Sequence, residues 1–368
     1  MNKYEDVKIN VFGSRKGLKT YDVQDEHQIA YSIREKVLPE MGVEYHSVRV
    51  KVKRKPNNTP DYLIAYMLRK DTYTADVVKI EVDANYQIQN TVRDYDDSGE
   101  EEDENEEEGE QYSQESAYAP NFVVSTPEDG IATAVAAVNH IHNLAVSAGL
   151  NSVKLVGATA NRSNYKAYLK SGLKGFVNIG HGFPGGIVLS DGTLGARWFD
   201  GLIGKPLNPA VVYFNSCKVF NNPLQAAVMQ AGARSYIGGI VNLLIGPSEK
   251  VCMCFWEQSL NTLSSMQRIL KGCEKEKYPS QGAHGIIGDC GIFWDGKWFW
   301  NKSVVRAHAK HGSQMAWAIL DSSSWIRLHP NSADGVTSLF MQLCDGLANN
   351  RKVDVYIRKS QIQQVTLR

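Results

Sequence analysis

Phe176-Val177-Asn178-Ile179-Gly180-His181-Gly182 is a short, almost wholly apolar run that ends on His-Gly. Further along, Val211-Val212-Tyr213-Phe214-Asn215-Ser216-Cys217 repeats the pattern and ends on Cys. Brief apolar runs without polar alternation mark strands buried on both faces, as in a parallel sheet covered by helices. The neighbouring sequence alternates accordingly. Thr126-Pro127-Glu128-Asp129 offers an N-cap hydroxyl, an early proline and acids at the positive end of a helix dipole. It predicts a helix over 127–148, stopped by Gly149. Strands follow at 153–156, 175–179, 210–214 and 235–240, and helices near 164–170, at 223–231 and from 247 to 270. This pattern predicts an α/β fold, a mainly parallel sheet with helices on both faces.

Smaller pieces flank that core. Residues 1–93 read as an α+β module: a strand at 7–11, an amphipathic helix over 26–41, and strands at 46–52, 62–68 and 75–82. Residues 301–368 read as a second small α+β module, with strands at 316–320 and 325–328, a helix over 334–348 and a closing hairpin turning at Lys359-Ser360. Between the first module and the core, residues 94–120 are dense in like charge and poor in apolar residues, the composition of a disordered linker.

Charge sharpens this division. Lys plus Arg and Asp plus Glu both total 40, a formal net charge of zero. Residues 94–115 hold 13 of the acids and no base, so the rest of the chain carries 40 basic against 27 acidic residues. A mildly basic body thus bears one acidic segment. Its basic residues are scattered without interleaved aromatics, which ranks nucleic-acid binding low. The first six residues contain no apolar run of the kind a secretory signal has. The most apolar window, 236–246, is about half the length of a bilayer span. Six cysteines without a Cys-x-x-Cys pair suggest neither a disulfide scaffold nor a structural zinc. These features predict a cytoplasmic chain with reduced thiols, Cys252, Cys254 and Cys344 being inert helix residues and no membrane partner being called for.

Groups at the carboxyl ends of strands line the functional edge of an open parallel sheet. If the two quoted strands are neighbours, His181 and Cys217 face one cleft. Imidazole then raises the thiolate fraction of the cysteine and later protonates a leaving amine. The Gly182 and Cys217 N–H groups are candidate donors to a developing oxyanion. His140 and His142 lie two apart on one helix and point away from each other, so they make no metal pair. His284, His308 and His311 are assigned surface or structural roles. The aromatic group Phe293, Trp294, Trp298, Phe299 and Trp300 reads as core or an interdomain face rather than a ligand platform.

His181-Gly182 and Ser216-Cys217, in this order at strand ends, resemble the dyad of the caspase-like cysteine peptidases of clan CD, in particular the CHAT-domain and gingipain-like branch. Ile187-Val188-Leu189-Ser190-Asp191-Gly192-Thr193-Leu194 resembles the family hairpin, and Ala231-Gly232-Ala233-Arg234-Ser235-Tyr236-Ile237-Gly238 its helix-to-strand junction. Gly288-Asp289-Cys290 departs from the family's Gly-Asp-Pro. The resemblance covers 121–295 and implies a peptidase domain over 121–300 that cleaves protein substrates through a thioester, as a hydrolase. It assigns no fixed third residue; Asn178 is one candidate to orient the imidazole. It also implies an extended substrate beside Gly239, Ile240, Val241 and Asn242, paired through its main chain. Asp191 is a further candidate for substrate binding, with Asp200, Arg197 and Arg234 the other charges nearby. No metal and no cofactor are called for; the acidic run lacks the Asp-x-Asp-x-Asp-Gly pattern of a calcium loop, though some relatives require calcium. Two readings of residues 1–93 and of the whole stay open: a zymogen-like peptidase restrained by its flanks or by a regulatory protein partner, and a catalytically silent interaction module that binds a peptide.

Overall fold

The first strand of the chain, β1 (Lys8–Gly13), pairs in parallel with β2 (Tyr45–Arg54) across a helical segment formed by α1 (Val23–Ser32), one π-helical turn (Ile33–Val37) and α2 (Leu38–Met41). Strands β3 (Pro60–Arg69), β4 (Ala75–Val82) and β5 (Ile88–Arg93) continue as an antiparallel meander, giving the sheet order β1-β2-β3-β4-β5. Ile29, Ile33, Val37 and Leu38 of the helical segment bury against Val48, Val50, Val52, Leu63, Ala65 and Met67 of the sheet. The chain is seen here as a computed structural model that describes residues 4, 6–13, 23–55, 59–95, 120–169, 172–200, 207, 210–291, 293–294, 297–310, 315–321, 323, 325–329, 333–358 and 361–368. Most of the acidic stretch, 96–119, and the turn at Lys359-Ser360 lie outside the described residues.

The central sheet follows. Its elements are β6 (Phe122–Thr126), α3 (Ala132–Ser147), β7 (Ser152–Val156), α4 (Arg162–Tyr168) and β8 (Gly175–Ile179). A small antiparallel insertion comes next, β9 (Gly182–Phe183), β10 (Gly186–Val188) and β11 (Thr193–Gly195), with Ile187 opposite Leu194. Then come α5 (Ala196–Asp200), β12 (Val211–Asn215), α6 (Pro223–Gln230), β13 (Ser235–Gly239), α7 (Pro247–Asn261), α8 (Met266–Lys277) and β14 (His284–Gly288). The strand order is β14-β13-β12-β8-β6-β7, parallel except for β14. The α/β architecture expected from the apolar runs is therefore present. Every residue of β6, β8, β12 and β13 is buried, the condition that removes polar alternation from a strand.

Two helix boundaries differ from the sequence expectation. The helix expected from residue 127 begins at Ala132. Pro127 and Glu128 instead form a turn in which the Glu128 N–H bonds Thr126 Oγ1 and the Ile131 N–H bonds the Glu128 carbonyl. The long helix expected over 247–270 divides into α7 and α8. Thr262 Oγ1 accepts from the Ser264 N–H and Ser265 Oγ from the Arg268 N–H, so local side-chain acceptors end one helix and cap the next.

The chain divides into two compact units, one of residues 1–250 with 277–288, the other of 251–276 with 289–368. In the second unit β15 (Lys297–Ala309), β16 (Ala316–Leu320), β17 (Ile326–Leu328), α9 (Ala333–Ala348), β18 (Lys352–Arg358) and β19 (Gln361–Leu367) follow in order. The strands close into a barrel, β15-β16-β17-β19-β18, with α9 against β15. The aromatic group is divided in its roles. Phe293 and Trp294 are buried with Trp256, while Trp298 and an exposed Trp300 stack on the barrel. Cys254 and Cys273 are joined by a disulfide, which corrects the reading of Cys254 as an inert thiol and stands against a wholly reduced chain. Among the described residues no helix is long and apolar enough to cross a membrane.

Candidate active site

Three adjacent parallel strands deliver the polar residues of the first unit to one sheet edge. In the register, Ile179 of β8 lies opposite Asn215 of β12, and His181 and Cys217 follow at equal distances beyond them. On the other side of β8, Ser125 of β6 lies opposite Asn178, and Glu128 follows the end of β6. The site thus sits at the carboxyl ends of the strands, where the strand order reverses around β6. Gly182 packs directly on the second strand end. A Cβ there would lie 2.8 Å from the Cys217 carbonyl oxygen and 2.9 Å from Ser216 Cβ, so only glycine fits.

His181 and Cys217 are both fully buried. His181 Nδ1 lies 3.2 Å from Glu128 Oε1, and Nε2 donates to the Arg69 carbonyl at 3.0 Å. Arg49 lies 3.3 Å from both oxygens of Glu128 and also donates to the carbonyls of Pro127 and Leu189. His46 Nε2 is 3.5 Å from Glu128 Oε2. Burial works to raise the Glu128 carboxyl, but the Arg49 guanidinium and His181 outweigh it and hold it well below the usual carboxylate range. Burial pushes the Cys217 thiol up to about 12, against the hydrogen bonds from Thr74 and Leu243 that favour its anion. The thiol sulfur accepts the Leu243 N–H at 2.9 Å.

The turn between β3 and β4 lies against these strand ends. The Tyr73 carbonyl accepts the Gly182 N–H at 2.9 Å, and the Tyr73 N–H donates to the Leu243 carbonyl at 3.0 Å. Thr72 forms an antiparallel bridge with Leu244, and the Asp71 carbonyl accepts the Ile245 N–H at 3.3 Å. Residues 71–73 thereby add a short strand to the segment after β13. The Tyr73 side chain is fully buried, its hydroxyl donating to Glu249 Oε1 at 2.8 Å and its ring edge-on to His181.

The other anticipated residues fall as follows. Gly239, Ile240 and Val241 hydrogen-bond through their backbones to Phe220, Ala283 and Lys218, and the pairing with residues 71–73 runs just beyond them on Leu243–245. Asn242 adjoins this stretch with its Oδ1 buried and unbonded. Asp191 accepts the Arg162 N–H at the start of α4. Asn178 is engaged with Tyr165, Ser125 and Ser216. His284 is buried against Asn215, Tyr213 and Tyr278. Sequence reasoning missed Glu128, read as a helix-start acid, and Arg49, His46, Tyr73 and Glu249. The available signal for Glu128 was its place just after a buried strand, the same place that singled out His181.

One donor set among the described residues could hold a metal: His46 Nε2, a Glu128 oxygen and His181 Nδ1 lie within 4.8 Å of one another. Two imidazoles and a carboxylate suit zinc rather than calcium. The Arg49 guanidinium already stands on both carboxylate oxygens as the neutralising cation.

The comparisons with known proteins return a structural likeness alone. No protein-family profile matches the chain, and no curated protein matches it. The chain is similar to the Arg-specific cysteine proteinase gingipain R (RgpB), with 11% identity and a TM-score of 0.44 over 68% of this chain and 67% of that one. It is also similar to the Porphyromonas gingivalis RgpB pro- and mature domains solved as a complex, with 13% identity and a TM-score of 0.41 over 67% of each chain.

Proposed function

We propose that the chain is a cysteine endopeptidase of the caspase-like kind, held inactive by its own N-terminal sheet. The observation that carries this reading is the Tyr73 carbonyl on the Gly182 N–H, beside the buried His181 and Cys217. A substrate carbonyl polarised there by Gly182 would be attacked by Cys217 Sγ as its proton passes to His181 Nε2. The imidazolium would then protonate the departing amine as the C–N bond breaks, and water would hydrolyse the thioester. Glu128 acts as a positioning residue: its Oε1 stands 3.2 Å from Nδ1 as an ionic partner that holds the ring and leaves Nε2 for the proton transfer. In the closed state that base is occupied, because Nε2 donates to the Arg69 carbonyl. This gives a physical reason why the segment could occupy the cleft without being cut.

The test uses the whole chain, its Tyr73→Ala variant, and that variant with Cys217→Ala, on a denatured protein substrate. Truncating a fully buried aromatic costs about 3–5 kcal/mol, enough to loosen the turn. Cleavage is expected from Tyr73→Ala and to vanish in the double variant; equal cleavage by both would sink the proposal.

The buried, protonated thiol favours a second reading, a silent interaction module with the same peptide groove. Iodoacetamide separates the two. A peptidase should label at Cys217 at neutral pH once Tyr73→Ala opens the cleft, whereas a silent module should stay unlabelled.

A further inference from the structure

Tyr73 does more than block the cleft: its side chain is held as a recognised residue. Its hydroxyl ends on a carboxylate that is itself fully built in. Glu249 is almost completely buried, at 1% exposure. Oε1 accepts from the Tyr73 hydroxyl at 2.8 Å and from Thr133 Oγ1 at 2.6 Å, while Oε2 accepts from the Gly246 N–H at 2.6 Å and from Ser248 Oγ at 3.0 Å. Ser248 is in turn bonded by Asn215 Nδ2, from the end of the strand that delivers Cys217. The carboxylate is acceptor-only, and four donors converge on it. Three belong to the pocket wall; the fourth belongs to the occupant.

The main chain places that occupant in a definite register. The Tyr73 N–H and the Asp71 carbonyl pair with Leu243 and Ile245, and the Tyr73 carbonyl meets Gly182. Thr74, the next residue, hydrogen-bonds the Cys217 thiol through its side chain. The peptide between Tyr73 and Thr74 therefore stands where a scissile bond would stand, with Tyr73 on its acyl side.

We infer that the pocket floored by Glu249 selects tyrosine as the residue on the acyl side of the bond, with Glu249 the specificity-determining group. This rests on reading the groove as a peptide-binding site and names what that groove prefers. Phenylalanine fills the same volume but removes one donor from a buried carboxylate. A site built to bond a substrate hydroxyl discriminates strongly against the analogue lacking it.

The experiment has two readouts on full-length chains. Peptides Asp-Thr-Xaa-Thr, with Xaa tyrosine, phenylalanine, lysine or arginine, are titrated into the Tyr73→Ala, Cys217→Ala chain by calorimetry and offered for cleavage to the Tyr73→Ala chain. Tyrosine is expected to bind and to be cleaved about 100-fold better than phenylalanine. Adding Glu249→Met, which removes the acceptor, should bring the two peptides together. Should that variant fail to fold, the comparison between peptides on the intact pocket still decides. Tyrosine preferred in binding but no cleavage of any peptide would overturn the peptidase reading and leave this inference standing. Phenylalanine equal to tyrosine, a basic residue preferred, or no peptide bound would overturn the inference, whether or not peptides are cut.

Discussion

Glu128 shows how much one buried acid can organise. It joins Arg49 and His46 of β2 to His181 beyond β8, so the N-terminal sheet and the central sheet share one charge centre. Because the native pKa is depressed, its contribution to stability is complete above the ordinary carboxyl value of 4.5 and is lost as pH falls from there toward the native value. The unfolded state takes up the proton first, which fixes the sign. Glu128→Gln should therefore lose stability at pH 7, by about 3–5 kcal/mol for a broken buried pair, and show a flatter decline between about pH 5 and pH 3. Thermal melts of both proteins across that range check this. A parallel decline in the two would mean that Glu128 is not the group titrating.

At the scale of elements, the turn between β3 and β4 behaves as a strand added to a foreign edge. Its bonds alternate in antiparallel register, Tyr73 with Leu243 and Asp71 with Ile245, with Thr72 opposite Leu244. Tyr73 and Ile245 supply one donor each, so their amides should open in one event. Hydrogen exchange is expected to show both protected in the wild type and both accelerated together in Tyr73→Ala. Acceleration of Tyr73 alone would mean that the segment after β13 is ordered without the turn. Helix ends are also decided at this scale. Thr262 and Ser265 offer local acceptors that end α7 and begin α8 within one expected helix, and Thr126 Oγ1 takes the Glu128 N–H in a turn, so α3 starts at Ala132 rather than directly after the Thr126 cap.

At the scale of the whole molecule, each compact unit has its own means of stabilisation. In the first unit two sheets each bury a separate core, and the charge centre and the inserted turn tie them together. In the second, the Cys254–Cys273 disulfide links α7 to α8. It closes a loop with a sequence separation of 19, for which chain entropy alone gives about 3 kcal/mol. Reduction, or paired Cys254→Ser and Cys273→Ser substitution, should lower the denaturant midpoint accordingly. Mass spectrometry after alkylation in denaturant without reductant should find four free thiols rather than six.

The sequence by itself determined the central architecture and the placement of His181 and Cys217 just beyond the ends of two neighbouring strands. Strands buried on both faces must be apolar throughout, and a polar residue that ends such a strand is visible against that background. It also displayed the first four strands of the N-terminal sheet, whose apolar patterning is local, though not β5, and it showed the β10–β11 hairpin only as a family resemblance. Only the tertiary structure decided that Glu128 faces His181, that Arg49 neutralises it, and that Tyr73 lies on Glu249. Those contacts join residues far apart in the chain. Arg49 looks like any cation on a strand, and Tyr73 like any aromatic near a turn, until two sheets meet. Alternation and capping are local and leave a local trace; charge pairing and the docking of one turn on a distant segment arise from packing, and leave none.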